Sequence, residues 1–152
     1  MARGATLLAT WFGCGWLPRA PGSWGSLAAL PFAWAFVAFG GVPALLAASV
    51  VLFGIGCWAA GSEARARGVQ DPGWVVIDEV VGQWLTLAAA PLSLPAYAAG
   101  FLLFRLFDIW KPWPVRWADR RWHGGFGIMA DDAFAAVFAA AVLVIGRLLL
   151  ER

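Results

Sequence analysis

Two adjacent carboxylates, Asp78 and Glu79, lie inside an otherwise apolar run over residues 74–90. A carboxylate at the centre of a bilayer costs roughly 2.5–3.5 kcal/mol on insertion scales, so the pair predicts a partner cation, a metal ion or a water-filled cavity. Mg²⁺ prefers one or two carboxylates with water and phosphate oxygens, and the pair therefore predicts half of a magnesium site. Gly82, one helical turn beyond Asp78, leaves room for a ligand or a close helix. The structural alternative is an ion pair with one of three arginines: Arg65, Arg67 or Arg105.

A second carboxylate pair, Asp131 and Asp132, follows a glycine-rich stretch and precedes the apolar segment 133–150. An Asp in this position predicts a helix N-cap, because its side chain accepts from free backbone N–H groups. One Asp suffices for a cap, which leaves the second available for another role. Carboxylate pairs on separate helices resemble the way helical bundles build metal sites. We therefore expect the metal ligands to be Asp78, Glu79, Asp131 and Asp132.

A basic–acidic–basic cluster, Arg105, Asp108 and Lys111, ends the apolar segment 96–107. The ammonium group of Lys111 suits phosphate as a point charge, and Arg105 is a candidate phosphate ligand beside it. Asp108 is a candidate metal ligand or general base. The alternative is an interfacial anchor, which is typical of Lys and Trp at a membrane edge.

A stretch rich in Gly, Pro and Ser precedes the first long apolar segment. Backbone N–H groups at a loop-to-helix junction bind anions, and Ser26 is the expected helix N-cap. The candidate phosphate-binding residues in this stretch are Arg19, Gly22, Ser23 and Ser26. His123, the only histidine, lies in a glycine-rich loop, where a lone histidine is more often solvated than catalytic.

The composition indicates a membrane protein. The 152-residue chain is 62% hydrophobic and 13% charged, against about 25% charged residues in a soluble domain, and its mean hydropathy is +0.75. Its 11 tryptophans are typical of the membrane–water interface. A net charge of +2 is too small to indicate a nucleic-acid partner, and the two cysteines form no disulfide or metal-binding pattern.

We expect one all-α domain over residues 1–152, a multi-pass membrane helical bundle of about four to five segments, some short or broken. The expected segments are 27–39, 44–60, 74–90, 96–107 and 133–150. The loops at 61–73 and 108–130, with the N-terminal stretch, hold most of the Lys and Arg, and the turns at 40–43 and 91–95 hold none. The positive-inside rule therefore places the charged loops in the cytoplasm. An odd number of spans would leave the C-terminus outside, which Arg147 and Arg152 do not favour.

Four blocks of the chain occur in an order known from one family. They are Pro-Gly-Ser-Trp-Gly-Ser-Leu at 21–27, Ile-Asp-Glu-Val-Val-Gly at 77–82, Arg-Leu-Phe-Asp-Ile-Trp-Lys-Pro at 105–112 and Gly-Gly-Phe-Gly-Ile-Met-Ala-Asp-Asp at 124–132. In this order they resemble the phosphatidylglycerophosphatase A family, with Ser23 in place of the family's threonine. The resemblance covers about residues 18–136.

The resemblance implies an all-helical, Mg²⁺-dependent phosphatase of the bacterial inner membrane. Such an enzyme converts phosphatidylglycerophosphate to phosphatidylglycerol and phosphate. Together with the residues above, it predicts that Asp78 and Asp132 join Asp108 as catalytic groups and that the metal ligands hold one or two Mg²⁺ ions. The lipid's acyl chains would stay in the bilayer, while its headgroup reaches a cytoplasmic pocket.

Other classes of protein remain as alternatives. A small channel or transporter would use intramembrane acids as an ion path and predicts carboxylates spread through the depth of the membrane. A structural membrane subunit would use Asp–Arg pairs for packing and predicts that charge-swapped pairs are tolerated. A CDP-alcohol phosphotransferase is disfavoured, because the chain has no Asp-Gly-x-x-Ala-Arg run. Selectivity among lipid phosphates and the oligomeric state stay open.

Overall fold

A computed structural model describes residues 3–151, and the regular secondary structure in this range is entirely helical. The all-α prediction is therefore confirmed. The helices are α1 (Arg3–Ala9), α2 (Pro21–Arg67), α3 (Ile77–Leu87), α4 (Leu94–Trp110), α5 (Val115–Arg121) and α6 (Gly124–Leu150), with a 3₁₀ turn at Cys14–Trp16.

Helix α2 consists of two arms joined at Gly41. This residue has φ 69° and ψ −177°, a conformation that is essentially restricted to glycine. A straight helix would separate Gly22 from Gly61 by about 58 Å at 1.5 Å per residue. Gly22 instead lies against Glu79 of α3 and Gly61 lies against the start of α6, and the starts of α3 and α6 adjoin the same carboxylate cluster. The chain therefore reverses direction at Gly41, inside the turn predicted at 40–43.

Within residues 3–151, two helices are long and apolar enough to cross a membrane, α2 and α6. The arms of α2, 21–40 and 42–67, are about 30 and 39 Å long, which matches or exceeds a bilayer core of about 30 Å. Helix α3 has only 11 residues, or about 16 Å, and is shorter than the predicted segment 74–90. Most of its side chains are buried, so α3 lies at the centre of the bundle.

The start of α2 differs from the prediction. The helix begins at Pro21 with Ala20 at the N-cap, so the expected N-cap at Ser26 is wrong. Proline at the first helical position has a suitable φ and lacks only an N–H that would have no partner there. The following Gly- and Ser-rich residues therefore continue as helix rather than as loop. Ser26 is fully buried in the second turn.

The start of α6 also differs from the prediction. The helix begins at Gly124, so Asp131 and Asp132 lie about two turns inside it and neither is an N-cap. The predicted long loop at 108–130 contains α5 and the first two turns of α6. Capping therefore does not explain the two aspartates, and their burial inside a helix requires another reason.

The predicted polar loop at 61–73 is partly helical, because α2 continues to Arg67. Glu63 is buried and accepts hydrogen bonds from the Thr6 hydroxyl, at 2.5 Å, and from Trp74 Nε1, at 3.3 Å. These bonds connect α1 and the segment before α3 to the end of α2. They position the chain that leads into Asp78.

The crossing of α2 and α6 depends on Gly125. A Cβ atom there would lie 1.8 Å from the Cys57 carbonyl oxygen. Because a backbone atom cannot move aside locally, Gly125→Ala is expected to separate the helices and to lower stability by about 1–3 kcal/mol or more. Thermal unfolding in detergent checks this. The matched change Gly146→Ala, on the same helix with no atom within 4 Å of the new Cβ, should leave Tm unchanged or slightly higher. Equal effects of the two changes would contradict this packing.

Candidate active site

Five carboxylates from three helices meet at one end of the bundle. Oxygen atoms of Asp78, Asp131 and Asp132 lie within 4.8 Å of one another, and so do those of Glu79, Asp108 and Asp132. Asp132 belongs to both groups. The structure thus brings together both predicted pairs and Asp108. The members furthest apart in the sequence, Asp78 and Asp132, are separated by 54 residues.

The approach of α3, α4 and α6 explains how this cluster forms. A Cβ atom on Gly82 would lie 2.5 Å from the Phe104 ring of α4 and 3.1 Å from the Asp132 carbonyl oxygen of α6. Glycine at this position therefore lets three helices converge, as the sequence indicated. Asp78 and Glu79 occupy the first turn of α3, where the helix dipole favours negative charge.

Two cations lie among these carboxylates. Arg105 Nη1 is 3.7 Å from Glu79 Oε1 and forms an ion pair with Asp108. Lys111 Nζ is 2.7 Å from Asp131 Oδ2 and 3.0 Å from Asp119 Oδ1. The carboxylates outnumber the cations, so the cluster keeps a surplus of negative charge.

The surplus oxygens suit a hard divalent cation. Among residues 3–151, Asp78 Oδ1, Glu79 Oε2 and Asp132 Oδ2 are buried without a hydrogen-bond partner. Such groups are costly, because burial removes water and supplies nothing in return. An all-oxygen set rich in carboxylates is the set that Mg²⁺ and similar cations prefer. The residues present therefore fit a metal ion.

The N-terminus of α2 lies beside the cluster. A Cβ atom on Gly22 would lie 2.1 Å from Glu79 Oε1 and 3.0 Å from Arg105 Nη1. The positive end of the α2 dipole therefore adjoins the carboxylates and could bind an anion. Ser23 is half-buried in the same turn, whereas Arg19 is exposed and no ion pair within the described range joins it to the cluster.

A polar cavity of about 440 Å³ lies beside the cluster, with Asp131 in its wall. Asp71 and Asp119 line it, and the sequence reasoning assigned neither residue a role. No motif marks them, since Asp71 lies in a loop and Asp119 lies among arginines. His123 lines the same cavity and is exposed. The cavity gives water and small polar groups a route to Asp131.

The charge state of Lys111 follows from this surrounding. Burial lowers the pKa of Lys111, but the carboxylates of Asp131 and Asp119 raise it by more, so that the pKa lies above its usual range. The ammonium group therefore stays charged at neutral pH. Burial also raises the pKa of Asp71, and the nearby charge of Lys111 opposes that rise.

Comparison with known proteins gives consistent matches. A family model described as Phosphatidylglycerophosphatase A matches residues 7–147. The chain is 48% identical over 140 residues to Phosphatidylglycerophosphatase A of Escherichia coli (strain K12), covering 90% of this chain and 80% of the relative. It is 43% identical over 138 residues to Phosphatidylglycerophosphatase A of Haemophilus influenzae, covering 90% and 85%.

A third relative carries a different name. The chain is 41% identical over 148 residues to a Putative phosphatidylinositol-3-phosphatase of Bacteroides thetaiotaomicron, covering 93% of this chain and 92% of the relative. No solved structure gives a significant match. The family model covers nearly the whole chain, including every residue of the carboxylate cluster, and the resemblance seen in the four sequence blocks is confirmed. The chain belongs to the phosphatidylglycerophosphatase A family.

Proposed function

We propose that this chain hydrolyses phosphatidylglycerophosphate to phosphatidylglycerol and phosphate, with Mg²⁺ at the carboxylate cluster. The family model and the two relatives named Phosphatidylglycerophosphatase A support the activity. The structural observation that carries the proposal is the set of buried, unpartnered carboxylate oxygens beside the N-terminus of α2. A metal ion and a phosphate group are complementary to these two features.

The proposed metal ligands are Asp78, Glu79, Asp131 and Asp132. The two groups of carboxylates that share Asp132 support one or two ions. Mg²⁺, when bound, would supply the positive charge that polarises the phosphoryl group. It would also offset the repulsion among these carboxylates.

The remaining polar residues have proposed roles in binding and proton transfer. Asp108, held by Arg105, would accept the proton of the attacking water as the bond between phosphorus and the glycerol oxygen breaks, and the departing glycerol oxygen would take up a proton from water. Arg105, Lys111 and the first turn of α2, with Gly22 and Ser23, would bind the phosphate oxygens. Arg19 would attract the anionic headgroup from its exposed position.

We propose five membrane segments: both arms of α2, α3 with the turn that follows it, α4 and α6. Seven basic residues lie in or near the end that holds the cluster: Arg19, Arg65, Arg67, Lys111, Arg116, Arg120 and Arg121. The turns at 40–43 and 91–95 contain no charge. The positive-inside rule supports a cluster that faces the cytoplasm of a bacterial inner membrane.

This arrangement accounts for the C-terminus. Helix α6 is about 40 Å long and carries the C-terminus away from the cluster, towards the opposite face. Arg147 Nε there is 2.7 Å from Glu151 Oε1. The pairing partly neutralises the arginine and so weakens the objection to an outside C-terminus. The carboxylates gather at one depth, which supports an enzyme site over an ion path.

Phosphate release from phosphatidylglycerophosphate in detergent tests the proposal. Release in Mg²⁺ is expected to fall to background in EDTA and to return when Mg²⁺ is added in excess. Phosphatidic acid and phosphatidylinositol 3-phosphate belong in the same assay, because one relative is named for the latter lipid. We expect phosphatidylglycerophosphate to be hydrolysed fastest. No release from folded protein under any condition would refute the proposal and would turn attention to ion flux in liposomes.

A further inference from the structure

An apolar groove of about 640 Å³ runs between the first arm of α2 and α4. Leu27, Leu30 and Trp34 line one wall. Leu94, Ala98 and Leu102 line the other. The three leucines at positions 27, 94 and 102 are substantially exposed, so the groove is open at the surface of the bundle.

The groove ends about one helical turn from residues of the carboxylate site. Its lining residues recur every three or four positions, so each wall is one face of a helix. Ser23 lies four residues before Leu27 on the same face of α2, and Arg105 lies three residues after Leu102 on the same face of α4. Arg105 contacts Glu79 and Asp108. The end of the groove at Leu27 and Leu102 is therefore the end nearer the site.

The groove has the orientation that a bilayer lipid requires. Both walls are parts of proposed membrane segments and extend away from the site by about 10–12 Å at 1.5 Å per residue. One leaflet of hydrocarbon is about 15 Å thick, half of a 30 Å core. A lipid with its headgroup at the site would thus have a chain alongside these residues.

We infer that this groove binds one acyl chain of the lipid substrate while its phosphate monoester lies at the carboxylate cluster. The inference rests on the proposed function and adds to it the part of the chain that recognises the apolar half of the substrate. The arginine and helix N-terminus beyond one end, followed by a channel in which Tyr97 is the one polar side chain among the described residues, match the charge distribution of an anionic phospholipid. A second copy of this chain would not need that polarity.

The contribution of the groove is positional. Moving a chain from bilayer into an apolar groove gains little hydrophobic free energy, because both surroundings are apolar. A chain held in the groove instead restricts where the headgroup lies, and restricted geometry raises the rate of the bound substrate. The effect should therefore appear as a difference between acylated and deacylated substrates.

Ala98→Trp tests the inference, because it fills the groove on α4. For the diacyl lipid we expect kcat/KM to fall about tenfold. For the deacylated headgroup, which has no chain to place, the ratio of variant to wild type should stay near one. Ala47→Trp is the matched control, since Ala47 is also exposed on a long apolar helix but lies outside the groove.

Three outcomes separate the claims. A wild type inert on both substrates would overturn the proposed function itself. An active wild type with Ala98→Trp equal to Ala47→Trp, or with both substrates slowed equally, would overturn the groove alone. If Ala98→Trp does not fold, the wild-type protein is photolabelled instead, with a phosphatidylglycerol analogue that carries a diazirine in the middle of one acyl chain. Labelling concentrated on residues 27–34 and 94–102 supports the groove, and uniform labelling of all exposed apolar faces, including residues 46–51, refutes it.

Discussion

Asp132→Asn is expected to lower phosphate release from phosphatidylglycerophosphate by at least about 100-fold, since changes to outer-shell partners of a metal alone cost 10–100-fold. Asp132 is the carboxylate common to both groups of oxygens, and its Oδ2 is buried without a partner. Asparagine keeps the shape of the side chain but removes its charge. The variant should therefore still fold and insert.

Thermal stability separates a lost metal site from a lost fold. In EDTA the variant is expected to be at least as stable as the wild type, because one of five mutually repelling carboxylates is gone. Mg²⁺ should raise the Tm of the wild type, as a ligand that binds only the folded state does, and should raise that of the variant much less. Glu151→Gln, at the far end of the same helix, should behave as wild type. Wild-type turnover by Asp132→Asn would show that the assignment of this residue is wrong.

Gly22→Ala is expected to lower activity by about 10–100-fold with little change in stability. The new Cβ would lie 2.1 Å from Glu79 Oε1 and 3.0 Å from Arg105 Nη1. Both are ends of flexible side chains, so they can move without disturbing the backbone. The movement displaces Glu79 from the cluster and disturbs the pairing of Arg105.

The same change favours the helix in other respects. Replacing glycine by alanine within a helix usually stabilises by about 0.5–1 kcal/mol, so Tm should be unchanged or slightly higher. Gly54→Ala is the matched control, because Gly54 is on α2 and its new Cβ would meet no atom within 4 Å. Measuring activity and Tm for both variants tests this prediction. Full activity of Gly22→Ala would contradict the placement of the α2 N-terminus against the site.

Much of the fold and the composition of the site could be predicted from sequence. Carboxylates inside apolar runs are rare enough that Asp78, Glu79, Asp131 and Asp132 stand out, and the turn at 40–43 follows from its glycines and proline. The distribution of Lys and Arg among the loops predicted which loops lie at the same end of the bundle. These signals are local, and a single sequence carries them.

The rest depends on tertiary contacts. Nothing near Ser26 shows that the helix begins at Pro21, because a Gly- and Ser-rich stretch suits a loop equally well. The burial of Asp131 and Asp132 inside α6 requires Gly125 and Gly82 to admit neighbouring helices, and that closeness appears only in three dimensions. Asp119 accepts a hydrogen bond from Lys111, eight residues earlier in the chain, and belongs to no sequence motif.

Binding of Mn²⁺, a spectroscopic substitute for Mg²⁺, tests the central claim most directly, since it needs no substrate. Electron paramagnetic resonance of detergent-purified protein is expected to show Mn²⁺ bound by the wild type and displaced by excess Mg²⁺. Asp132→Asn should bind at least about 10-fold more weakly, while Glu151→Gln binds as the wild type does. Absence of bound Mn²⁺ in folded wild type, or equal binding by Asp132→Asn, would contradict a metal site at the carboxylate cluster.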